Sequence, residues 1–420
     1  MIKSVCILGM GYIGLPLAAM LSENGIKVTG VDISQKIVDA LNNGEILIEE
    51  DGLGELIAKG VANGSITAST VPVNADAFII AVPTPIKPDK SAEMKYVESA
   101  TRSVVPYLKQ GSAVILESTS PPRTVMDLML PILDQSGLTA GEGYYIAHSP
   151  ERVIPGNILH EIIHDSRIIG GINKKSAEVV AELYRTFVKG EIFQTDATTA
   201  EMCKLMENTF RDVNIALANE MSRIAYDVGV NIWEAMSLAN HHPRVNYLSP
   251  GPGVGGHCIA LDPWFIAEKS PKNARIVELS RRTNEEQPAF VTEMLLEMLA
   301  DGNKVTMLGL TFKQDTDDTR ESTQIKIADA LAAKGIEVAA VDPHVRSNKY
   351  LVKDIFEAVK GSSLLIVGVH HTAFKGIDLA KIKSLMKAPK IFDLRNFIAR
   401  EEAENLGFEY RLLGDAKNRV

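Results

Sequence analysis

The stretch Val5-Cys6-Ile7-Leu8-Gly9-Met10-Gly11-Tyr12-Ile13-Gly14 passes from four apolar residues into three spaced glycines, and an alanine- and leucine-rich run from Leu15 to Leu21 follows. The order is strand, glycine turn, helix. In such a turn the glycines permit the bend, let the backbone meet a pyrophosphate and allow close packing of helix on strand, while the first helical amides face the anion. A second apolar segment, Lys27 to Val31, ends at Asp32. A carboxylate there accepts hydrogen bonds from adenosine ribose hydroxyls and repels a 2′-phosphate, so the expected cofactor is NAD rather than NADP. Gly9, Gly11, Tyr12, Ile13, Gly14 and Asp32 are the cofactor-binding candidates.

Outward from this unit the alternation continues. Ala77 to Val82, Ala113 to Glu117 and Tyr144 to His148 read as strands, with helices over 94–108 and 124–135 between them. This predicts a doubly wound parallel sheet with ligands at the carboxyl ends of its strands. Thr84 in Pro83-Thr84-Pro85 and Thr119 in Glu117-Ser118-Thr119-Ser120 lie at such ends. Each hydroxyl either touches cofactor or substrate or satisfies a loop backbone. Ser149-Pro150-Glu151-Arg152 follows the next strand. Glu151 is a candidate acid or base there, or the partner of Arg152 in an ion pair.

A second alternating unit begins at 304–308, passes through a capped helix over Ser322 to Lys334 and returns at 337–341 to Asp342; strands over 364–369 and 391–394 follow. It lacks a GxGxxG turn, so a nucleotide carried by the substrate fits it better than a second NAD. The predicted fold class is α/β: two Rossmann-like doubly wound domains joined by a long central helix. The expected domains are 1–195, 196–300 and 301–420.

The central helix is predicted to open at a capping box, Thr198-Thr199-Ala200-Glu201, and to run to about Tyr226. Glu201, Lys204, Asn208 and Arg211 share one face, while Met202, Leu205, Met206, Phe210, Val213 and Leu217 are apolar. The polar face is either a solvated stripe or aimed into a cavity. Beyond it, His241 and His242 lack nearby ligands at metal spacing, and no metal site is expected. Arg244 is an anion-binding candidate. Next comes Pro250-Gly251-Pro252-Gly253-Val254-Gly255-Gly256-His257-Cys258, with Asp262 four residues on. Such glycine and proline content dictates a shaped loop. Its cysteine is either a nucleophile in a pocket or an inert thiol in a tight turn.

Composition bounds the class. With 420 residues, 45% hydrophobic and 23% charged, the chain is long enough for two or three folded domains. A net charge of -9 argues against nucleic acid or an anionic membrane as a general partner. Three scattered cysteines make neither a disulfide framework nor a metal cluster. With no signal-like start and no long apolar run, a cytoplasmic location is expected.

Together these motifs resemble the UDP-glucose/GDP-mannose dehydrogenases over nearly the whole chain. The pattern is met by the glycine turn, Glu117-Ser118-Thr119, Ser149-Pro150-Glu151-Arg152, Lys204 with Asn208, Gly255-Gly256-His257-Cys258 with Asp262, and Phe312-Lys313 through Asp318-Thr319-Arg320-Glu321-Ser322. The resemblance implies four-electron oxidation of a sugar nucleotide's C6 alcohol with two NAD+. Ile259-Ala260-Leu261 stands where UDP-glucose enzymes have Phe-Pro-Lys. Members acting on UDP-N-acetylmannosamine are the nearer match, and UDP-N-acetylglucosamine stays open. By resemblance, Cys258 is the nucleophile, Lys204 and Asn208 bind the developing oxyanion, and Asp262 manages protons. The resemblance likewise implies that Glu151 activates the hydrolytic water with Thr119. Arg152, Arg211, Arg244, Gly255 and Lys313 are substrate-binding candidates alongside Glu151, Lys204 and Asn208; Arg320 joins Thr84 and Thr119 at the cofactor. The long helix resembles the family's dimer spine, implying a homodimer or higher oligomer. Two other classes of function stay open: a non-catalytic NAD or sugar-nucleotide sensor, and a two-electron hydroxyacid reductase.

Overall fold

The computed structural model describes residues 2–48, 50–153 and 156–416. Its packing separates two compact units, Met1–Glu207 with Trp264–Pro271 and Asn208–Pro263 with Lys272–Val420.

The first unit holds an eight-stranded sheet. Its strands are β1 (Ser4–Leu8), β2 (Lys27–Val31), β3 (Ile66–Ser69), β4 (Ala77–Ile80), β5 (Ser112–Leu116), β6 (Tyr144–His148), β7 (Arg167–Gly171) and β8 (Ile192–Asp196). Their order is β3-β2-β1-β4-β5-β6-β7-β8, so the winding reverses between β1 and β4. Alternate residues of β1 enter different cores, Val5 and Ile7 on one face and Cys6 and Leu8 on the other. A strand covered on both faces reads as an unbroken apolar run.

The sheet is not wholly parallel. β6 and β7 pair antiparallel, with Ala147 opposite Gly171 and His148 opposite Gly170. Continued past the strand end, this register sets position 151 opposite position 167. β8 escapes sequence reading because it is largely exposed, and periodicity marks only a buried face. The helix expected over 124–135 is instead a π-turn, Val125–Met129, a helical turn, Leu130–Leu133, and a 3-10 turn, Asp134–Ser136. Pro131 lacks the N–H that an α-ladder requires there.

The second unit has five parallel strands, β9 (Lys304–Leu308), β10 (Glu337–Val341), β11 (Leu364–Val367), β12 (Lys390–Asp393) and β13 (Glu409–Leu412), ordered β10-β9-β11-β12-β13. Its first turn repeats that of the other sheet. Gly9 N–H donates to Val31 O and Gly309 N–H to Val341 O, each at 2.8 Å, and both glycines have positive φ. Asp32 accepts from Met10 N–H at 3.1 Å, and Asp342 accepts from Leu310 N–H at 2.7 Å.

The long helix spans Ala197–Val228, 32 residues. Its start departs from the capping box. Asp196 accepts from the Thr199 N–H at 2.9 Å and the Thr199 hydroxyl at 2.6 Å, so the cap lies two residues earlier than expected. Glu201 is buried and accepts the N–H groups of Arg123 at 2.5 Å and Val125 at 2.8 Å. Leu205 is buried, but Met206, Phe210 and Leu217 are exposed. Pro288 reads in sequence as a helix start, yet the helix begins at Arg275 and runs through the proline to Leu299. Burial of Val291, Leu295 and Met298 in the core of the second sheet outweighs the lost hydrogen bond.

Candidate active site

At the end of β1 the three glycines have different reasons to be glycine. A Cβ on Gly9 would lie 2.4 Å from Ala81 O, and one on Gly14 would lie 1.9 Å from Gly9 O. Both are fixed by packing. A Cβ on Gly11 would meet nothing within 4 Å. That open side, next to the first turn of the helix Gly14–Glu23, suits an approaching pyrophosphate. Asp32 follows β2 with Oδ1 on the Ser34 N–H at 2.9 Å and Oδ2 on the Met10 N–H. Both donors orient it at the turn. Tyr12 is exposed, and Ile33 beside Asp32 is 90% exposed. The sequence reading passed over Ile33; its signal was an apolar residue directly after a strand-end acid. Such a side chain offers a flat base an apolar surface.

The neighbouring strand-end loops are tied together. Thr84 Oγ1 donates to Thr119 O at 2.6 Å, which is the loop-satisfying role. Ser118 Oγ donates to Val82 O at 2.7 Å. Thr119 itself is half-buried.

Beyond β6, Glu151 is buried and its ion-pair partner is Arg167, not Arg152. Arg167 Nη2 donates to Glu151 Oε2 at 2.8 Å, while Glu151 Oε1 accepts the N–H groups of Arg152 at 2.6 Å and Val153 at 2.9 Å. The Arg152 guanidinium instead reaches Glu207 at 2.9 Å and the carbonyl of Ser166. The antiparallel register explains the exchange, since position 167 faces 151. Arg167 also donates to Glu117 Oε1 at 2.9 Å, and the Tyr184 hydroxyl donates to that same oxygen. Burial, with the Glu151 charge adding and Arg167 opposing, pushes Glu117 up to about 7. His148, fully buried at the end of β6, is pushed down to about 3 by burial and by the Lys204 charge. It is neutral at working pH. Lys204 is half-buried.

In the second unit the residues around the cysteine do converge. Asn208 Nδ2 donates to Asp262 Oδ2 at 2.5 Å. The N–H groups of Leu261 and Asp262 donate to Cys258 O at 3.1 and 2.9 Å, so the cysteine closes the turn that enters the helix Asp262–Lys269. Cys258 is exposed and Asp262 is buried. Cys6, by contrast, is a core residue whose thiol burial pushes up to about 11. The loop's glycines are set largely by packing. A Cβ on Gly255 would lie 2.7 Å from Phe312 Cβ and 2.8 Å from Glu321 O. Gly256 has positive φ, and its N–H donates to Arg320 O at 3.0 Å. Burial lowers His257, with the Arg320 charge adding to the shift.

The remaining candidates are more scattered. Arg320 is exposed and its guanidinium grips Asp318 at 2.6 Å. Lys313, Arg211 and Arg244 are exposed. Arg281, missed from sequence, is buried against Asp212 at 2.5 Å. Asn284 joins Asp212 to Asn219, whose Oδ1 accepts the Gly251 N–H at 2.9 Å. Gln287 Nε2 donates to Gly251 O at 3.1 Å, so the root of the cysteine loop is clamped on both sides. Among the described residues Asp315, His344 and His371 hold their donor atoms within 4.8 Å of one another. His371 Nδ1 accepts the Asp315 N–H at 2.9 Å and Asp315 accepts from Thr372, so these atoms serve the loop. No helix among the described residues is long and apolar enough to cross a membrane.

Known proteins match this arrangement along its length. Residues 3–188, 198–286 and 306–400 match, in order, the NAD-binding, central and UDP-binding domains of the UDP-glucose/GDP-mannose dehydrogenase family. A UDP-N-acetyl-D-mannosamine dehydrogenase of Methanococcus vannielii is 44% identical, over 99% of this chain and 97% of that protein. The structure of the UDP-N-acetyl-mannosamine dehydrogenase Cap5O from S. aureus is similar at a TM-score of 0.91 and 44% identity, covering 99% of this chain and all of that one. An NDP-N-acetyl-D-galactosaminuronic acid dehydrogenase of Ralstonia nicotianae is 41% identical over 91% of this chain and 94% of that protein.

Proposed function

Because the chain belongs to the UDP-glucose/GDP-mannose dehydrogenase family, we propose that it oxidises the C6 alcohol of UDP-N-acetyl-D-mannosamine to the carboxylate, using NAD+ and a covalent intermediate on Cys258. The observation that carries the chemistry is an exposed cysteine in a glycine-shaped loop whose turn also presents a buried aspartate bonded to Asn208.

Gly9, Gly11 and Gly14 with the helix after them would hold the cofactor's pyrophosphate, and Asp32 its adenosine ribose. Bound NAD+ supplies the electron acceptor, two electrons at each oxidation. The chain's own groups do the rest. Asp262 takes up the proton released as the alcohol becomes an aldehyde. The Cys258 thiolate adds to the aldehyde carbon, forming a C–S bond and a thiohemiacetal that still carries one C–H. Oxidation of that carbon leaves a thioester. Lys204 donates to the oxygen that bears charge in these steps, and so does the second N–H of Asn208, its first being held by Asp262. Water oriented by Glu151 and Thr119 then attacks the thioester carbon, a C–O bond forms, the C–S bond breaks to return the thiolate, and the water's proton passes to Glu151.

Met206, Phe210, Leu217, Ile224 and Val228 recur along the long helix as exposed apolar residues on one stripe. That stripe supports the reading of a homodimer through this helix, and a cytoplasmic site of action fits the reading. The sugar is read from the mannosamine enzymes at 44% identity, while the galactosamine-type relative at 41% favours a second reading with the C2 and C4 epimers exchanged. The deciding experiment counts NADH formed per sugar nucleotide consumed, with UDP-N-acetylmannosamine, UDP-N-acetylgalactosamine, UDP-N-acetylglucosamine and UDP-glucose run in parallel. Two NADH for the mannosamine substrate, abolished in Cys258→Ser, is the expected result. One NADH would replace the thioester route by simple alcohol oxidation, and none with any sugar would leave a sensor.

A further inference from the structure

Glu151 belongs to a buried cluster that its sequence neighbourhood does not announce. Arg167 is 5% exposed and spans two carboxylates and a hydroxyl, donating to Glu151 at 2.8 Å, Glu117 at 2.9 Å and Ser149 Oγ at 3.0 Å. The Tyr184 ring lies 4.5 Å from the guanidinium carbon. Glu117 is buried and its Oε2 has no hydrogen-bond partner. One cation therefore serves two buried acids.

We propose that Arg167 is a positioning residue for Glu151, and that Glu117 is the second acid of a coupled pair held by the same guanidinium. The proposal rests on the reading of Glu151 as the group that takes the proton from the hydrolytic water. Two N–H groups on Oε1 and the guanidinium on Oε2 fix both Glu151 oxygens, leaving one lone pair, on Oε2, in a set direction. A planar fork reaches two acids and a hydroxyl at once, whereas a lysine ammonium is a single point. Two ionised carboxylates against one cation leave a net negative charge in a dry site, so the pair favours holding one proton. Burial pushes Glu117 up to about 7, which makes it the holder of that proton below that pH. Once Glu117 has given up its own proton, Glu151 can take one from water while the Glu117 carboxylate pairs Arg167, and no buried cation is stranded.

The other charged groups near Glu151 are accounted for. Glu161 and Asp165 line the same small recess with Arg152, whose guanidinium is paired with Glu207. Tyr184 is held well above its ordinary range by burial and by Glu117, and His148 is neutral. Ionisation of Glu117 as pH rises through about 7 is thus the event that returns a second negative charge to the site beside Arg167.

The test compares Glu151→Gln, Arg167→Lys and Glu117→Gln in the full chain with NAD+ and UDP-N-acetylmannosamine. Acid-quenched protein is weighed for a sugar adduct on Cys258, and kcat and KM are followed from pH 5.5 to 9. Arg167→Lys is expected to accumulate the adduct and to lose roughly tenfold to a hundredfold in kcat, as for a misplaced catalytic group, with little change in either KM. Glu117→Gln is expected to erase an inflection in kcat near pH 7 that the parent shows. If Glu151→Gln traps no adduct, the reading of Glu151 fails and takes this proposal with it. If Glu151→Gln traps the adduct while Arg167→Lys keeps the parent's kcat and pH profile, the Arg167 proposal alone is overturned. Should Arg167→Lys fail to fold, Glu117→Gln decides, and an unchanged pH profile overturns the coupled pair.

Discussion

At the scale of single residues, the chemistry proposed around the cysteine draws on one short contact, Asn208 Nδ2 to Asp262 Oδ2. Removing it separates two effects. Asn208→Ala is expected to lower kcat about a hundredfold to a thousandfold, as deletion of an oxyanion donor does. It also leaves the buried Asp262 carboxyl without that donor, at a cost of about 1–3 kcal/mol in stability. Steady-state rates and a thermal melt read the two effects independently, and an unchanged kcat would take Asn208 out of the chemistry. Cys258, Asp262, Asn208 and Asp32 were legible in the sequence because each lies at a fixed spacing within one local pattern. Arg167 was not. It is sixteen positions from Glu151 in the chain and comes opposite it only because β7 reverses direction against β6. Arg152 looked like the partner because adjacency is all that spacing offers.

At the scale of elements, Glu201 shows how a buried acid can serve a neighbour rather than its own helix. Read as the last member of a capping box, it instead accepts two N–H groups at the start of the turn 123–129. Those donors are among the amides that a helix start leaves unpaired. Glu201→Ala is expected to cost about 1–3 kcal/mol, seen as a lower melting temperature. A pH effect accompanies this. Burial raises Glu201 to about 7 in the fold, against an ordinary value near 4.5, so folding favours its protonated form. The contribution is full below about 4.5 and is lost as pH rises through 7. The melting-temperature advantage of the parent over Glu201→Gln should therefore shrink between pH 5 and 8; an advantage that grows would reverse the sign. The helix around Pro288 teaches the complementary point, since a proline that reads as a helix start lies in mid-helix where an apolar face is deeply buried.

At the scale of the whole molecule, the exposed stripe on the long helix is the feature that a single chain leaves unsatisfied. Phe210, 63% exposed, lies near its middle. Phe210→Glu is expected to convert a dimer to monomers in sedimentation velocity with the far-ultraviolet spectrum unchanged, and a parent that sediments as a monomer would end the dimer reading. The alternation of strands and helices behind the two sheets, the glycine turn and the strand-end acids were legible in the sequence alone, because strand and helix periods and positive-φ glycines are local properties that neighbouring residues impose on one another. Asp342 repeats the position of Asp32 for that reason, although backbone amides and His371 surround it. The tertiary structure decided the rest. Strand direction and register chose Arg167 as the partner of Glu151, and packing against Phe312 and Glu321 accounted for Gly255 in the cysteine loop. Such pairings join residues far apart in the chain, and only the competition among buried surfaces for neighbours, which no local spacing records, selects them.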